Sequence, residues 1–123
     1  MPQRILVVDD DPAVREYLLR SLREAGFEVT VAADGAEALR LFSAQPFDLV
    51  ITDILMPDCD GLEVISHIRL VRPQVPVVAI IGADDELFGQ DAAGLGARLV
   101  LVKPFTAAEL HAAVRRALSP TDA

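Results

Sequence analysis

A doubly wound α/β sheet built from five β–α units is the architecture this chain's hydropathy demands. Four short runs, Ile5–Val8, Leu49–Ile51, Val77–Ile81 and Leu99–Val102, are nearly continuous in apolar residues, the habit of parallel strands covered on both faces. Stretches of helical periodicity separate them. Right-handed crossovers between parallel strands then require helices on both sides of the sheet.

Each element has its own signals. After the first run, Asp11-Pro12 reads as an N-cap followed by proline in the first helical position. Val14, Leu18, Leu22 and Ala25 form one apolar stripe, and Gly26 stands where that helix should end. Phe27-Glu28-Val29-Thr30-Val31 alternates, so one face of this strand sees water and it belongs at an edge. Thr106-Ala107-Ala108-Glu109 is a capping box opening the last helix, with Leu110, Ala113, Val114, Ala117 and Leu118 on its buried stripe. Pro120 keeps that helix from continuing. The expected organisation is one domain over residues 1–119 and a short polar tail, 120–123. No internal repeat or low-complexity stretch interrupts it.

Composition narrows the classes. The 123 residues carry 11 Lys+Arg and 19 Asp+Glu, a formal charge of −8. So acidic a chain, without a basic block, is a poor partner for nucleic acid. One cysteine excludes a disulfide framework and a Cys-based zinc site, and suits a reducing compartment. No apolar run approaches the ~18 residues a membrane span needs, and aspartates follow Ile5-Leu6-Val7-Val8 too soon for a signal peptide. A cytoplasmic location without membrane attachment is expected.

In open α/β sheets ligands bind beyond the carboxyl ends of the strands, and there the sequence concentrates charge. Asp9-Asp10 and then Asp11 end the first strand, and Asp53 ends the third. Gly82-Ala83-Asp84-Asp85 follows the fourth, and Lys103-Pro104 the fifth. Carboxylates crowded at one rim repel one another. A hard divalent cation such as Mg2+ relieves that conflict while leaving room for phosphate oxygens. Beside such a cation and a lysine, one exposed carboxylate suits phosphoryl transfer, acting as the nucleophile.

Val7-Val8-Asp9-Asp10-Asp11, Asp53-Ile54-Leu55-Met56-Pro57-Asp58-Cys59-Asp60-Gly61 and Lys103-Pro104-Phe105 together resemble the three signatures of the response-regulator receiver domain of two-component signalling. The resemblance spans essentially the whole chain and implies the flavodoxin-like strand order 2-1-3-4-5. It implies that Asp53 is the phosphoacceptor, charged by a histidine kinase or a histidine phosphotransfer protein. Asp9 and Asp10 would hold Mg2+ with Asp53, the Leu55 backbone carbonyl being a further ligand. Lys103 would contact the phosphoryl group, across a cis bond to Pro104. Met56-Pro57 and Gly61 would shape the loop after Asp53. Such a domain is a signalling module rather than an enzyme. Its output would pass through the face of the fourth helix, fifth strand and fifth helix to a protein target or a second copy.

The chain departs from the family at two switch positions. The hydroxyl residue that usually ends the fourth strand is Ile81, followed by Gly82, and no Ser or Thr occurs between Ser66 and Thr106. The aromatic usually three positions before the lysine is Val100, and the only tyrosine, Tyr17, lies in the first helix. A hydrogen bond to a charged group is worth roughly 1.5–3 kcal/mol, so its loss weakens coupling while sparing the transfer chemistry. A backbone amide of Gly82 or Ala83 is the expected substitute. Leu55 and Ala83, where the family often orients a hydrolytic water, have no group to do so, and slow autodephosphorylation is expected. Gly96-Ala97-Arg98-Leu99 lacks the acidic pair of a charge-paired dimer face.

Plainer readings stand beside these. Any one of the aspartates alone is an ordinary turn or cap residue; the set of three with Lys103 is not. Cys59 reads as a loop residue and His67 and His111 as solvated faces. Ser66-His67 lacks an acid partner for a triad, and Gly94-Leu95-Gly96 precedes a strand, which is wrong for a dinucleotide site. Two other functions compete: a phosphorylation-independent docking or dimerisation module, which Ile81 and Val100 favour, and a haloacid-dehalogenase-like phosphatase. The second is opposed by Lys103, which follows Asp84-Asp85 where that family's lysine precedes the acidic pair.

Overall fold

The computed structural model describes residues 2–56 and 61–119. Pro57 and Cys59, like the tail from Pro120, lie outside the described residues. Five strands, β1 (Arg4–Val8), β2 (Glu28–Ala32), β3 (Leu49–Asp53), β4 (Val77–Ile81) and β5 (Leu99–Val102), alternate with helices α1 (Pro12–Glu24), α2 (Gly35–Ala44), α3 (Gly61–Val71), α4 (Glu86–Gly94) and α5 (Ala107–Leu118). All strand pairings are parallel and the order is β2-β1-β3-β4-β5.

Strand alternation sorts the core into two layers. Leu6, Val8, Val50, Val77, Ala79 and Ile81 face α2, α3 and α4, meeting Phe42, Val64, Ile65, Ile68 and Ala92. Ile5, Val7, Leu49, Ile51, Val78 and Ile80 face α1 and α5, meeting Leu18, Leu22, Leu110 and Val114. β3 and β4 are buried along their whole length, which is why their sequences do not alternate.

The helix boundaries follow the local chemistry. The Asp11 side chain accepts the Ala13 N–H, with Pro12 in the first turn. Thr106 and Glu109 form the reciprocal capping box. Gly26 adopts φ +96° just past α1, a conformation that side chains with a Cβ resist.

Three expectations need correction. Leu99–Val102 is not covered on both faces: β5 is the second edge strand, its residues are half-buried and Val102 is 44% exposed. An apolar run alone does not distinguish a central strand from an edge shielded mainly on one side. Ala25 is exposed, as the C-cap of α1, and Ser21 takes the buried place in the stripe. His111 is not a solvated face. Its Nε2 lies 3.1 Å from both the hydroxyl and the carbonyl oxygen of Ser21, tying α5 to α1.

Candidate functional site

Parallel register brings the carboxylates together. Val8 of β1 pairs with Thr52 of β3, so the next residues, Asp9 and Asp53, emerge side by side at the carboxyl ends of adjacent strands. The Asp9 N–H donates to the Ala32 carbonyl at 3.2 Å. That bond carries the strand geometry one residue past β1 and buries Asp9 completely, while Asp10 is turned outward and exposed. Carboxylate oxygens of Asp9, Asp10 and Asp53 all lie within 4.8 Å of one another.

Asp53 is 7% exposed. Its backbone is fixed from several sides. The Thr52 hydroxyl donates to the Asp53 carbonyl at 2.9 Å, and the next N–H, of Ile54, donates to the Ile80 carbonyl. Gly61, opening α3, sits directly on this turn: its N–H donates to the Ile54 carbonyl at 2.9 Å. A Cβ at Gly61 would lie 2.2 Å from the Asp53 carbonyl oxygen and 2.7 Å from Ile54 Cα. Gly61 thus permits the close approach that closes the loop.

Lys103 arrives from β5, with β4 between it and the acids. Its N–H donates to the Ile81 carbonyl at 2.8 Å, and the bond to Pro104 is cis. The Nζ lies 3.5 Å from Asp53 Oδ2 and 3.7 Å from Asp9 Oδ2. One ammonium therefore faces two carboxylates. It does not neutralise them. Burial pushes the Asp9 carboxyl up to about 6, with Asp53 adding to the rise and the Asp11 N–H and Lys103 opposing it. Burial also raises Asp53, against Lys103 and the Leu55 N–H.

Asp9 Oδ1 accepts the Asp11 N–H at 2.9 Å, but Asp9 Oδ2 is buried without a hydrogen-bond partner. An orphaned buried carboxylate oxygen beside two more carboxylates is a donor set for a hard cation, and fits Mg2+ in charge and atom type.

The switch positions also meet. Ile81 is buried, and Gly89 of α4 is seated on it: a Cβ there would come within 2.9 Å of Ile81 Cδ1 and 3.5 Å of Val100 Cγ1. Apolar contact therefore joins the β4 end, β5 and α4. The Gly82 N–H donates to Asp85 Oδ2 at 3.2 Å. The Leu55 side chain is exposed, as is Ala83.

Sequence reasoning missed two contributors. Arg15 donates to the Asp9 carbonyl at 2.8 Å and braces the turn carrying the acid pair. Its place one helical turn after Asp11 was the available signal. Gly89 carries no signal in a single sequence, because the need for a missing Cβ arises only from packing.

Comparison with known proteins agrees with this geometry. Residues 5–115 match the response regulator receiver domain family. The response regulator MprA of Mycolicibacterium vanbaalenii is 44% identical over 124 residues, covering 98% of this chain and 52% of that protein. The transcriptional regulatory protein PrrA of Mycobacterium tuberculosis is 45% identical over 118 residues, covering 94% of this chain and 49% of that protein. The chain thus spans about half the length of these curated relatives. Among solved structures, the Thermotoga maritima response regulator TrrA in complex with Mg2+-BeF superposes with a TM-score of 0.86 at 38% identity, covering 94% of this chain and 99% of that one. The receiver domain of NtrX from Brucella abortus gives 0.91 at 33% identity, with 95% and 99% covered.

Proposed function

The chain belongs to the response regulator receiver domain family of two-component signalling, and from that premise we propose that it accepts a phosphoryl group on Asp53 in a Mg2+-dependent reaction. The observation that carries this reading is the cluster itself: three carboxylates within 4.8 Å of one another, with Lys103 Nζ 3.5 Å from Asp53.

In the proposed step a carboxylate oxygen of Asp53 attacks phosphorus. An acyl phosphate O–P bond forms as the P–N bond of a phosphohistidine breaks, and the imidazole leaves, taking a proton from solvent. Lys103 meets the phosphoryl oxygens as a point charge. Asp9 and Asp10, with Asp53 and the Leu55 carbonyl, would hold Mg2+, which when bound supplies charge stabilisation to the phosphoryl oxygens. Asp9 Oδ2, buried without a hydrogen-bond partner, is the ligand atom already desolvated for that role.

The donor would be a histidine kinase or histidine phosphotransfer protein, and the setting cytoplasmic. No helix among the described residues is long and apolar enough to cross a membrane. Output passes through the α4–β5–α5 face to a protein target or a second copy, without direct nucleic-acid contact by this domain. The domain receives a phosphoryl group and does not act as an enzyme on a separate substrate. Residues 1–119 constitute it.

Ile81 and Val100 make the switch atypical. Neither supplies the hydroxyl or the aromatic ring, so coupling runs through a backbone amide, Gly82 being the candidate. Ile81→Thr should enlarge the phosphorylation-dependent shifts in NMR spectra; unchanged shifts would contradict this. The primary test is incubation with acetyl phosphate and Mg2+, read by intact-protein mass. A gain of about 80 Da, one phosphoryl group, absent from Asp53→Asn, supports the reading. No gain from acetyl phosphate or from kinases favours a phosphorylation-independent docking module, the reading that Ile81 and Val100 would then support.

A further inference from the structure

We infer that Asp85 is a positioning residue for the phosphoryl site: its carboxylate holds the Gly82 N–H in the unmodified protein and yields it to a phosphoryl oxygen on Asp53, then turning to cap α4. The inference rests on the reading of Asp53 as phosphoacceptor.

Three observations converge on this exchange. First, Asp85 closes a tight turn on Gly82 from both sides. Its Oδ2 accepts the Gly82 N–H at 3.2 Å, and its own N–H donates to the Gly82 carbonyl at 3.1 Å. Second, Asp85 is the N-cap of α4 yet makes no side-chain cap bond, and its φ −108°, ψ 33° is not extended. Asp11, Asp34 and Thr106, at the starts of α1, α2 and α5, are extended, and each accepts a helix N–H. Asp85 has the same chemistry available and spends it on Gly82. Third, a Cβ at Gly82 would lie 2.7 Å from Asp85 Oδ2, so the glycine is what admits the carboxylate.

Position gives the contact its consequence. β4 neighbours β3, with Ile80 paired to Asp53, and Gly82 is the first residue past β4. Ile81 brings no hydroxyl. The Gly82 amide is therefore a donor at the end of a strand adjacent to that of Asp53, and Asp85 occupies it. A phosphoryl group carries more charge than a carboxylate and binds an N–H more strongly. It also repels the Asp85 carboxylate directly. Once displaced, Asp85 turns to the Leu87 N–H at the second position of α4, where a cap and the helix dipole both favour an anion; the Phe88 N–H is already held by the Asp85 carbonyl at 3.0 Å. α4 has nine residues, including Gly89 and Gly94, so a gained cap changes its order appreciably. The two states differ in which N–H one carboxylate holds and in the Asp85 backbone, which becomes extended, as at Asp11, Asp34 and Thr106, when it caps.

Beryllofluoride with Mg2+ is the probe. Bound beryllofluoride gives a 19F signal that Asp53→Asn abolishes, and 1H–15N spectra follow Gly82, Leu87 and Phe88. In the wild type, saturation should slow amide exchange at Leu87 by about tenfold, as a gained cap bond implies. Asp85→Ala, which neither competes for the Gly82 N–H nor gains a cap, should show no slowing at Leu87. Asp85→Asn, a neutral acceptor, should fall between. Gly82→Ala, whose Cβ expels the carboxylate, should show a protected Leu87 before any beryllofluoride is added. Slowing at Leu87 in saturated Asp85→Ala, or unchanged Leu87 exchange in the saturated wild type, overturns the exchange alone. No bound 19F signal in the wild type overturns both the exchange and the phosphoacceptor reading.

Discussion

Replacing Asp9 by Asn should stabilise the protein in magnesium-free buffer at neutral pH, although Asp9 is one of the proposed metal ligands. Asp9 is fully buried and its carboxyl is pushed from 3.8 up to about 6, chiefly by burial. Between those values the folded protein keeps a proton that the unfolded chain has released. Stability therefore falls as pH rises through that window, and the penalty is complete above about 6. That rise, from 3.8 to about 6, corresponds to roughly 3 kcal/mol.

Asparagine removes this ionic penalty. Its amide oxygen keeps the Asp11 N–H, and the charge-assisted part of that bond, like the attraction to Lys103 3.7 Å from Asp9 Oδ2, already opposes the rise to about 6 and is not subtracted again. The gain is therefore at most about 3 kcal/mol, or roughly 10 °C in Tm for a domain of this size. Thermal unfolding followed by circular dichroism in EDTA reads it. The two proteins should converge near pH 4 and diverge as pH rises past about 6. Millimolar Mg2+ should narrow the gap, because ligand binding stabilises the wild type more than a variant lacking one carboxylate. An Asn variant no more stable than wild type at neutral pH in EDTA, or a gap that is largest near pH 4, would refute the reasoning.

Gly61→Ala should destabilise the fold by about 3 kcal/mol in denaturant melts, the upper end of overpacking costs, since its Cβ would fall 2.2 Å from the Asp53 carbonyl oxygen; a change under 1 kcal/mol would show that the loop yields freely. Lys103→Met should slow labelling by acetyl phosphate about 100-fold, the usual effect of removing one oxyanion contact, while leaving the far-ultraviolet spectrum unchanged. With Leu55 and Ala83 both exposed and unable to orient water, the acyl phosphate should persist for many minutes. Ala83→Glu should shorten its life in a mass time course, and a wild-type half-life of seconds would contradict this reading.

Much of this was legible in the residues because strand burial and strand-end charge are both local signals. Leu49–Ile51 and Val77–Ile81 have no polar alternation and so read as strands covered on both faces, as they are; the alternating stretch from Phe27 read as an edge, as it is. Asp9 and Asp53 could be placed at one rim because parallel strands share a carboxyl end. The strand order put Leu99–Val102 at an edge correctly, but its burial on both faces was misread, because an edge strand shielded mainly on one face carries the same run as a buried one. His111 was misread because its partner, Ser21, is 90 residues away, and no periodicity encodes that pairing. Asp85 looked like one member of an acidic run; its grip on Gly82 depends on a backbone turn.

The order of strands explains why this site uses a lysine at all. Adjacent strands lie roughly 4.8 Å apart, so Asp9 and Asp53 on β1 and β3 are forced into mutual contact by register. β5 stands one strand further away, beyond β4. Only a long side chain from β5 reaches the acids past the end of β4, where Ile81 turns inward to meet Gly89 of α4, itself close to Val100. Lys103 then meets both acids without coming closer than 3.5 Å, leaving the cluster short of positive charge. Burial, which Lys103 opposes without cancelling, raises Asp9 and Asp53 together, and it is a thermodynamic cost the bare fold carries at neutral pH. Added positive charge lowers the cost, which ties the stability of the central strands to metal occupancy at the same atoms proposed to receive phosphate.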